Sequence, residues 1–252
     1  MPLPWYFCPV VLGLDDSKPT DKVRRVDSVA TSRLLEGMPT TRLLLVRHGQ
    51  TEFNLGGIYQ GRMDSPLTQE GIDQARALAP RLHAMDTCAT LYCSDLGRAR
   101  QTAQLIADPA HHRVAEDAGL AERHFGIFQG LPKADIPAQY PEEWARHYSG
   151  DPDYVVPGGE SQRQLHDRVV AAVDRIVAPH QGELVVAVTH GGALGSFVKH
   201  VLGLDVAARR RFDMGNTSIS SFYLDDDERW MVRFFGDLAH LDNLPDPNQT
   251  EG

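Results

Sequence analysis

The first 40 residues carry no clear hydrophobic period and end in a polar, mixed-charge stretch, whereas ordered apolar and polar blocks run from Thr41 onwards. Arg42 to Val46 is an apolar run of the length of one buried strand, and it ends at Arg47-His48-Gly49, which places those residues in the loop after a strand's C-terminal end. Thr68 is positioned to cap a helix whose apolar face is Ile72, Ala75, Ala79 and Leu82. Ala89 to Cys93 reads as a second buried strand, after which Ser94 and Asp95 open a helix carrying Arg98, Thr102 and Ile106. Leu165, Val169, Val173 and Ile176 recur at helical spacing before Glu183 to Val188, a third buried strand that stops at Thr189-His190-Gly191-Gly192. A helix from Ala193 to Leu202 follows, and Thr217 to Leu224 and Arg229 to Phe235 read as strands joined by a solvated acidic turn, Asp225 to Glu228.

Strands alternating with helices predict an α/β sandwich around a largely parallel sheet. In such sheets ligands bind beyond the carboxyl ends of the strands, where both His48 and His190 fall. The pattern divides the chain into an N-terminal extension at 1–40, a catalytic domain at 41–241 and a polar tail at 242–252. Met38, just before the first strand, is a candidate translation start; an ordered flap over the site is the sharper alternative for the extension.

The chain has 252 residues, 42% of them hydrophobic, enough for one sizeable core without a second domain. Its net charge of −9 argues against nucleic-acid or anionic-membrane partners but permits a small anion in a locally basic pocket. No apolar run approaches the roughly 20 residues of a membrane span. The apolar stretch Leu3 to Leu14 lacks the basic flank and cleavage site of an export signal. Cys8, Cys88 and Cys93 follow no metal-ligand or disulfide spacing, as expected of a reducing, cytoplasmic setting.

Arg47-His48-Gly49 sets a cation, an imidazole and a glycine at a strand end, a suitable place to hold a phosphate. A surface-facing loop imidazole is the expectation for His48. Three further segments follow in order and supply other parts of a phosphoryl-transfer site. Cys93 to Ala103 carries Arg98, Leu120 to Gly130 carries Glu122, and Val188 to Gly192 carries His190.

This set resembles the histidine phosphatase superfamily, the phosphoglycerate mutase-like family, over about Thr41 to Leu241. Gly61 to Thr68, Pro157 to Ser161 and Asp237 to Leu241 also match. The resemblance implies a three-layer α/β/α sandwich of phosphoglycerate mutase-like type. It makes His48 the nucleophile, surrounds the transferred group with Arg47, Arg98 and His190, and makes Glu122 the proton donor. It places Asn54, Gln60 and Gly61 along the first loop, with Gly191 and the set Arg123, His124, Phe125 and Lys133 toward the substrate. A homodimer is a further implication. The chemistry accounts for these residue types: fixed cations neutralise the equatorial oxygens of a phosphate ester, and two arginines offer permanently charged planar forks. A neutral imidazole can attack phosphorus if its other nitrogen is held as a donor, here by an expected backbone carbonyl. The scheme requires no metal, and the 11 histidines form no recognisable zinc motif. His111-His112 reads as solvated loop, and Arg209-Arg210-Arg211 as a solvated helix end.

Two reactions share the phosphohistidine. Leu120 to Lys133 looks close to the cofactor-dependent mutase version, which would need 2,3-bisphosphoglycerate. Against it, the stretch from Glu122 to His190 is short, lacks the mutases' adjacent arginine pair with only Arg146 as a substitute, and carries Pro-Gly-Gly-Glu-Ser and His-Gly-Gly as in the phosphatase branch. The favoured reading is a phosphatase acting on a small phosphorylated metabolite without a cofactor. The mutase is the alternative, and an inactive binding protein the remote one. Leu131 to Val156 is expected to form the lid that selects the substrate.

Overall fold

The computed structural model describes residues 40–85, 87–225 and 227–242. The N-terminal extension, Met38 and Cys8 therefore lie outside the described residues apart from Thr40, as does the tail apart from Asp242.

The described chain forms one six-stranded sheet in the order β3-β2-β4-β1-β5-β6. Its strands are β1 (Arg42–Arg47), β2 (Thr90–Cys93), β3 (Arg113–Glu116), β4 (Leu184–Thr189), β5 (Ile219–Leu224) and β6 (Trp230–Asp237). Three pairings are parallel, β1 with β4 and β2 with both β4 and β3, while β5 and β6 add antiparallel strands at one edge. The helices are α1 (Glu52–Leu55), α2 (Gln69–His83), α3 (Gly97–Ile106), α4 (Ile136–Gln139), α5 (Pro141–His147), α6 (Gln162–Val177) and α7 (Gly191–Val201).

Side chains on a strand point alternately to the two faces, and β1 shows how this builds three layers. Leu43 and Leu45 join a core with Val169 and Val173 of α6 and Leu194 and Phe197 of α7. Leu44 and Val46 join the opposite core with Leu78 and Leu82 of α2 and Ala103 and Ile106 of α3. Helices thus cover both faces, and the α/β sandwich expected from the pattern is observed. Each such aliphatic side chain taken fully out of water stabilises the fold by about 1.5–3 kcal/mol.

The structure adds what periodicity did not reveal. Leu78, Gly71 and Gln74 complete the buried face of α2, on which Ile72 and Ala79 are only half-buried. β3 was missed because its residues are exposed or half-buried in the pattern Arg-Val-Ala-Glu, so no apolar run marks it. Helix α3 begins at Gly97, two residues beyond the expected opening. Asp64, from the loop between α1 and α2, accepts the N–H groups of Gly97 (2.6 Å) and Arg98 (3.2 Å), while Ser94 accepts only from Leu96 N–H. Arg209, Arg210 and Arg211 lie in the loop between α7 and β5, not at a helix end. His111 and His112 occupy a turn and the residue after it, but both bond to Thr87: His111 Nε2 to its carbonyl at 2.9 Å and His112 Nε2 to its hydroxyl at 2.7 Å.

Candidate active site

The parallel strands β1 and β4 end side by side, with Arg47 in register with Thr189. The next residues, His48 and His190, are thereby carried to the same edge, and their ring centroids lie 5.1 Å apart. The His48 N–H donates to the Thr189 carbonyl at 2.9 Å, continuing the ladder one residue past the strands. His48 is buried, only 4% exposed, which corrects the expectation of a surface-facing imidazole. The first turn of α2 presses onto its loop: a Cβ on Gly49 would lie 2.5 Å from the Gly71 carbonyl oxygen, a separation that no larger residue tolerates.

Two hydrogen bonds fix the His48 tautomer. Its Nδ1 lies 2.7 Å from the Gly49 carbonyl oxygen, which can only accept, so Nδ1 carries the proton. Arg98 Nε donates to His48 Nε2 at 3.3 Å, so that nitrogen presents its lone pair. Burial, followed by the positive charges of Arg98 and Arg47, holds the imidazole's pKa well below its usual value and keeps it neutral. The expected carbonyl partner is therefore Gly49's own.

Arg98 projects from the first turn of α3 and is 2% exposed. Burying a guanidinium is costly unless its donors are satisfied. The Met63 and Gly61 carbonyls accept from Nη1 (3.0 Å) and Nη2 (2.7 Å), with the Asp64 carboxylate 3.5 Å away. Arg47 Nη1 donates to the Met214 carbonyl at 2.6 Å, and its buried Nε has no partner among the described residues. His190 is wholly buried at the N-cap of α7, and neither of its ring nitrogens has a partner among the described residues. Burial, then Arg98, His48 and Arg47, push its pKa well below the ordinary range.

Glu122 reaches the same edge from the loop after β3. Its carboxylate accepts the N–H groups of Arg123 (2.8 Å) and Gly192 (2.9 Å). Gly192 permits this approach, because a Cβ there would collide with the carboxylate. Arg168 of α6 supports the loop from behind: it bonds the Glu160 carboxylate (2.9 Å) and the carbonyls of Gly119 (2.9 Å) and Ala121 (3.0 Å). The structure thus brings Arg47, His48, Arg98 and His190 together at the strand ends, with the Glu122 carboxylate bonded to the first turn of α7.

The remaining expected residues divide. Gly61, at φ 55°, supplies a carbonyl to Arg98. Gln60 is buried and bonds the Thr51 hydroxyl, leaving its Oε1 without a partner among the described residues. Asn54 completes the capping box of α1 and accepts weakly from Asn216. Gly191 opens α7 beside Arg47. Arg123 is buried, with Nε donating to the Glu160 carbonyl at 2.8 Å, so its guanidinium braces the loop instead of facing open solvent. His124 accepts from Gly126 N–H at 3.0 Å, Phe125 packs edge-on against Tyr59, and Lys133 is exposed with its ammonium 5.8 Å from the Tyr59 ring.

Sequence reasoning missed three contributors. Asn216 donates to the His48 carbonyl at 2.9 Å; its signal is Asn-Thr entering a strand, with Thr217 at φ 59°. Thr102, read only as a helix position, accepts Gly49 N–H at 3.0 Å. Asp64 caps the helix that carries Arg98. Among the described residues the group able to hold a metal is Cys88, His180 and Glu183, which precede β2 and β4 and so lie at the opposite end of the sheet. Both His180 ring nitrogens are already bonded, to Glu183 and Tyr92.

The family model of the histidine phosphatase superfamily (branch 1) matches residues 43–237, and the chain belongs to that superfamily. A relative named metal-independent phosphoserine phosphatase, from Arabidopsis thaliana, is 36% identical over 81% of this chain and 84% of its own length. A probable phosphoglycerate mutase of Salmonella paratyphi C is 37% identical over 80% of this chain and 95% of its own. A solved mycobacterial glucosyl-3-phosphoglycerate phosphatase superposes with a TM-score of 0.68 and 32% identity, covering 77% of this chain and 98% of the other.

Proposed function

We infer that the protein is a phosphomonoester hydrolase that works through a phosphohistidine on His48. The observation that carries this reading is the His48 ring itself: Nδ1–H tied to the Gly49 carbonyl, and the Nε2 lone pair facing Arg98 beside the buried His190, whose ring nitrogens have no hydrogen-bond partner among the described residues. In the first step Nε2 bonds to phosphorus as the P–O ester bond breaks. Arg98 transfers its Nε donor from the imidazole to an equatorial oxygen, Arg47 and His190 supply further donors, and Glu122 protonates the leaving alkoxide. In the second step Glu122 takes a proton from water, the water oxygen bonds to phosphorus, and the P–N bond breaks to return neutral His48 and release phosphate.

Both steps use protein groups alone, without a metal or an organic cofactor. The substrate is a small phosphorylated metabolite, the compartment the cytoplasm, and a homodimer is compatible with the family. Among the described residues no helix is long and apolar enough to cross a membrane.

The relative named as a probable mutase keeps the mutase alternative in view. A specific contact favours hydrolysis: Arg146, the substitute for the mutases' arginine pair, stacks on the Tyr154 ring with its guanidinium carbon 4.3 Å from the centroid. The test is incubation with p-nitrophenyl phosphate under chelation, alongside 3-phosphoglycerate with and without 2,3-bisphosphoglycerate. Hydrolysis of both esters without isomerisation supports the reading. Bisphosphoglycerate-dependent conversion to 2-phosphoglycerate that outpaces hydrolysis establishes the mutase, and inertness in both assays overturns the enzyme assignment.

A further inference from the structure

Arg210 lies in the loop between α7 and β5, and the glycines of α7 determine where its side chain runs. Gly191 and Gly195 are one helical turn apart, so together they leave a strip of the helix surface without Cβ atoms. Arg210 lies along that strip. Its Cδ is 3.6 Å from the point a Cβ on Gly195 would occupy, and its Nη1 is 3.6 Å from the matching point on Gly191. The Arg47 Nε, without a hydrogen-bond partner among the described residues, lies 3.5 Å from that same point on Gly191. Two guanidinium groups therefore close on the first turn of one helix.

In the free protein this convergence is unfavourable. Arg210 repels the charge of Arg47, and the helix N-terminus adds partial positive charge. Lys199, one turn beyond Gly195 on α7, also feels the positive charges of Arg123 and Arg210, with Asp205 opposing them. Asp213 and Glu122 offset the charge on Arg47, but Arg210 itself makes no hydrogen bond or ion pair among the described residues. An exposed arginine with no partner gains most by extending into water; this one is laid in a groove toward a second cation.

We propose that Arg210 is a specificity residue that binds a second anionic group of the substrate, a carboxylate or a second phosphate, carried close to the phosphoryl group held at His48. A guanidinium fork suits either anion, since both accept two parallel N–H bonds. The proposal rests on the phosphomonoester reading and narrows it to esters with two anionic groups.

Arg210→Met keeps an unbranched apolar stem over Gly195 and removes the charge. The probes are 3-phosphoglycerate for a carboxylate, glucose 1,6-bisphosphate for a second phosphate, and p-nitrophenyl phosphate for neither. For whichever doubly anionic ester the site accepts, KM rises about tenfold with kcat within about twofold, and the ratio of its kcat/KM to that for p-nitrophenyl phosphate falls about tenfold. Arg210→Lys restores part of the ratio. Equal losses on all three esters place Arg210 on the transferred phosphoryl group, and an unchanged ratio makes it a surface residue; either result overturns the proposal. Calorimetric titration with the same doubly anionic esters and with phenyl phosphate reads the subsite without turnover. A wild-type protein inert to every ester thus refutes hydrolysis, while selective loss of affinity for the doubly anionic esters in Arg210→Met still decides the subsite.

Discussion

The end of the sheet and the aromatic cluster that includes residues 131 to 156 are held by different physics. At the sheet end, His48 is placed by the strand ladder, by the Gly49 carbonyl on its own ring and by Arg98 from a helix capped by Asp64. In the other region, Phe128 joins Ile136, Tyr154 and Val156 of the segment in a small separate core, against which Tyr59, Phe125 and Trp144 pack, Tyr59 and Trp144 edge-on to Phe128. Hydrogen bonds to fixed backbone leave the His48 imidazole one orientation. Aromatic contacts of this kind bring roughly 0.5–1.5 kcal/mol each beyond burial and allow repacking. The first region thus fixes one geometry, whereas the second is held by contacts that tolerate repacking.

The comparison breaks most visibly at His48. His48→Ala is expected to lower kcat by roughly four orders of magnitude or more while the fold persists. The buried ring's lost hydrogen bonds reduce stability by about 1–3 kcal/mol, readable by denaturant titration. Glu122→Gln comes next. It should reduce turnover of alkyl phosphates roughly 100- to 1,000-fold but that of p-nitrophenyl phosphate far less, because nitrophenolate leaves without a proton. Equal losses on the two esters argue against the acid role.

Trp144→Ala sharpens the contrast from the other side. It should loosen 131–156 to limited proteolysis and destabilise the fold by about 2–3 kcal/mol, while p-nitrophenyl phosphate turnover falls less than about tenfold. A loss as deep as that of His48→Ala would show that the two regions are one unit.

A further effect, on stability alone, concerns pH. His48 and His190 are held neutral by burial, and His147 and His240, also desolvated, are lowered to about 4. Unfolding returns each imidazole to an ordinary pKa near 6.5, so below that pH the unfolded chain binds more protons. Stability should therefore be flat above about pH 7 and fall as the pH drops through 6.5, by about 1.4 kcal/mol per unit for each fully buried ring. Thermal melts at pH 7.5 and 5.5 check this; a higher melting temperature at 5.5 contradicts it.

Arg47, His48, Arg98 and His190 were legible in sequence because each closely follows an apolar run or sits at a helix opening, whereas Glu122, in a loop, was marked by the family resemblance of its segment. Leu43 to Val46 and Val185 to Val188 are buried on both faces, and such runs announce both the strand and where it stops. What pattern did not reveal is contact between distant segments. Asp64 caps a helix 33 residues away, Asn216 holds a carbonyl 168 residues away, and Arg168 clamps the Glu122 loop from another layer. The burial of His48 follows from α2 pressing on Gly49, and the course of Arg210 from two glycines on a helix it follows in the chain. None of these leaves a periodic trace in its own segment.

The most direct measurement is rapid mixing with a 32P-labelled phosphate ester, an alkaline quench and mapping of the labelled peptide. The account predicts an alkali-stable, acid-labile label on His48 that is absent from His48→Ala. Sustained hydrolysis with no label on the polypeptide, or a label that persists in that variant, would contradict it.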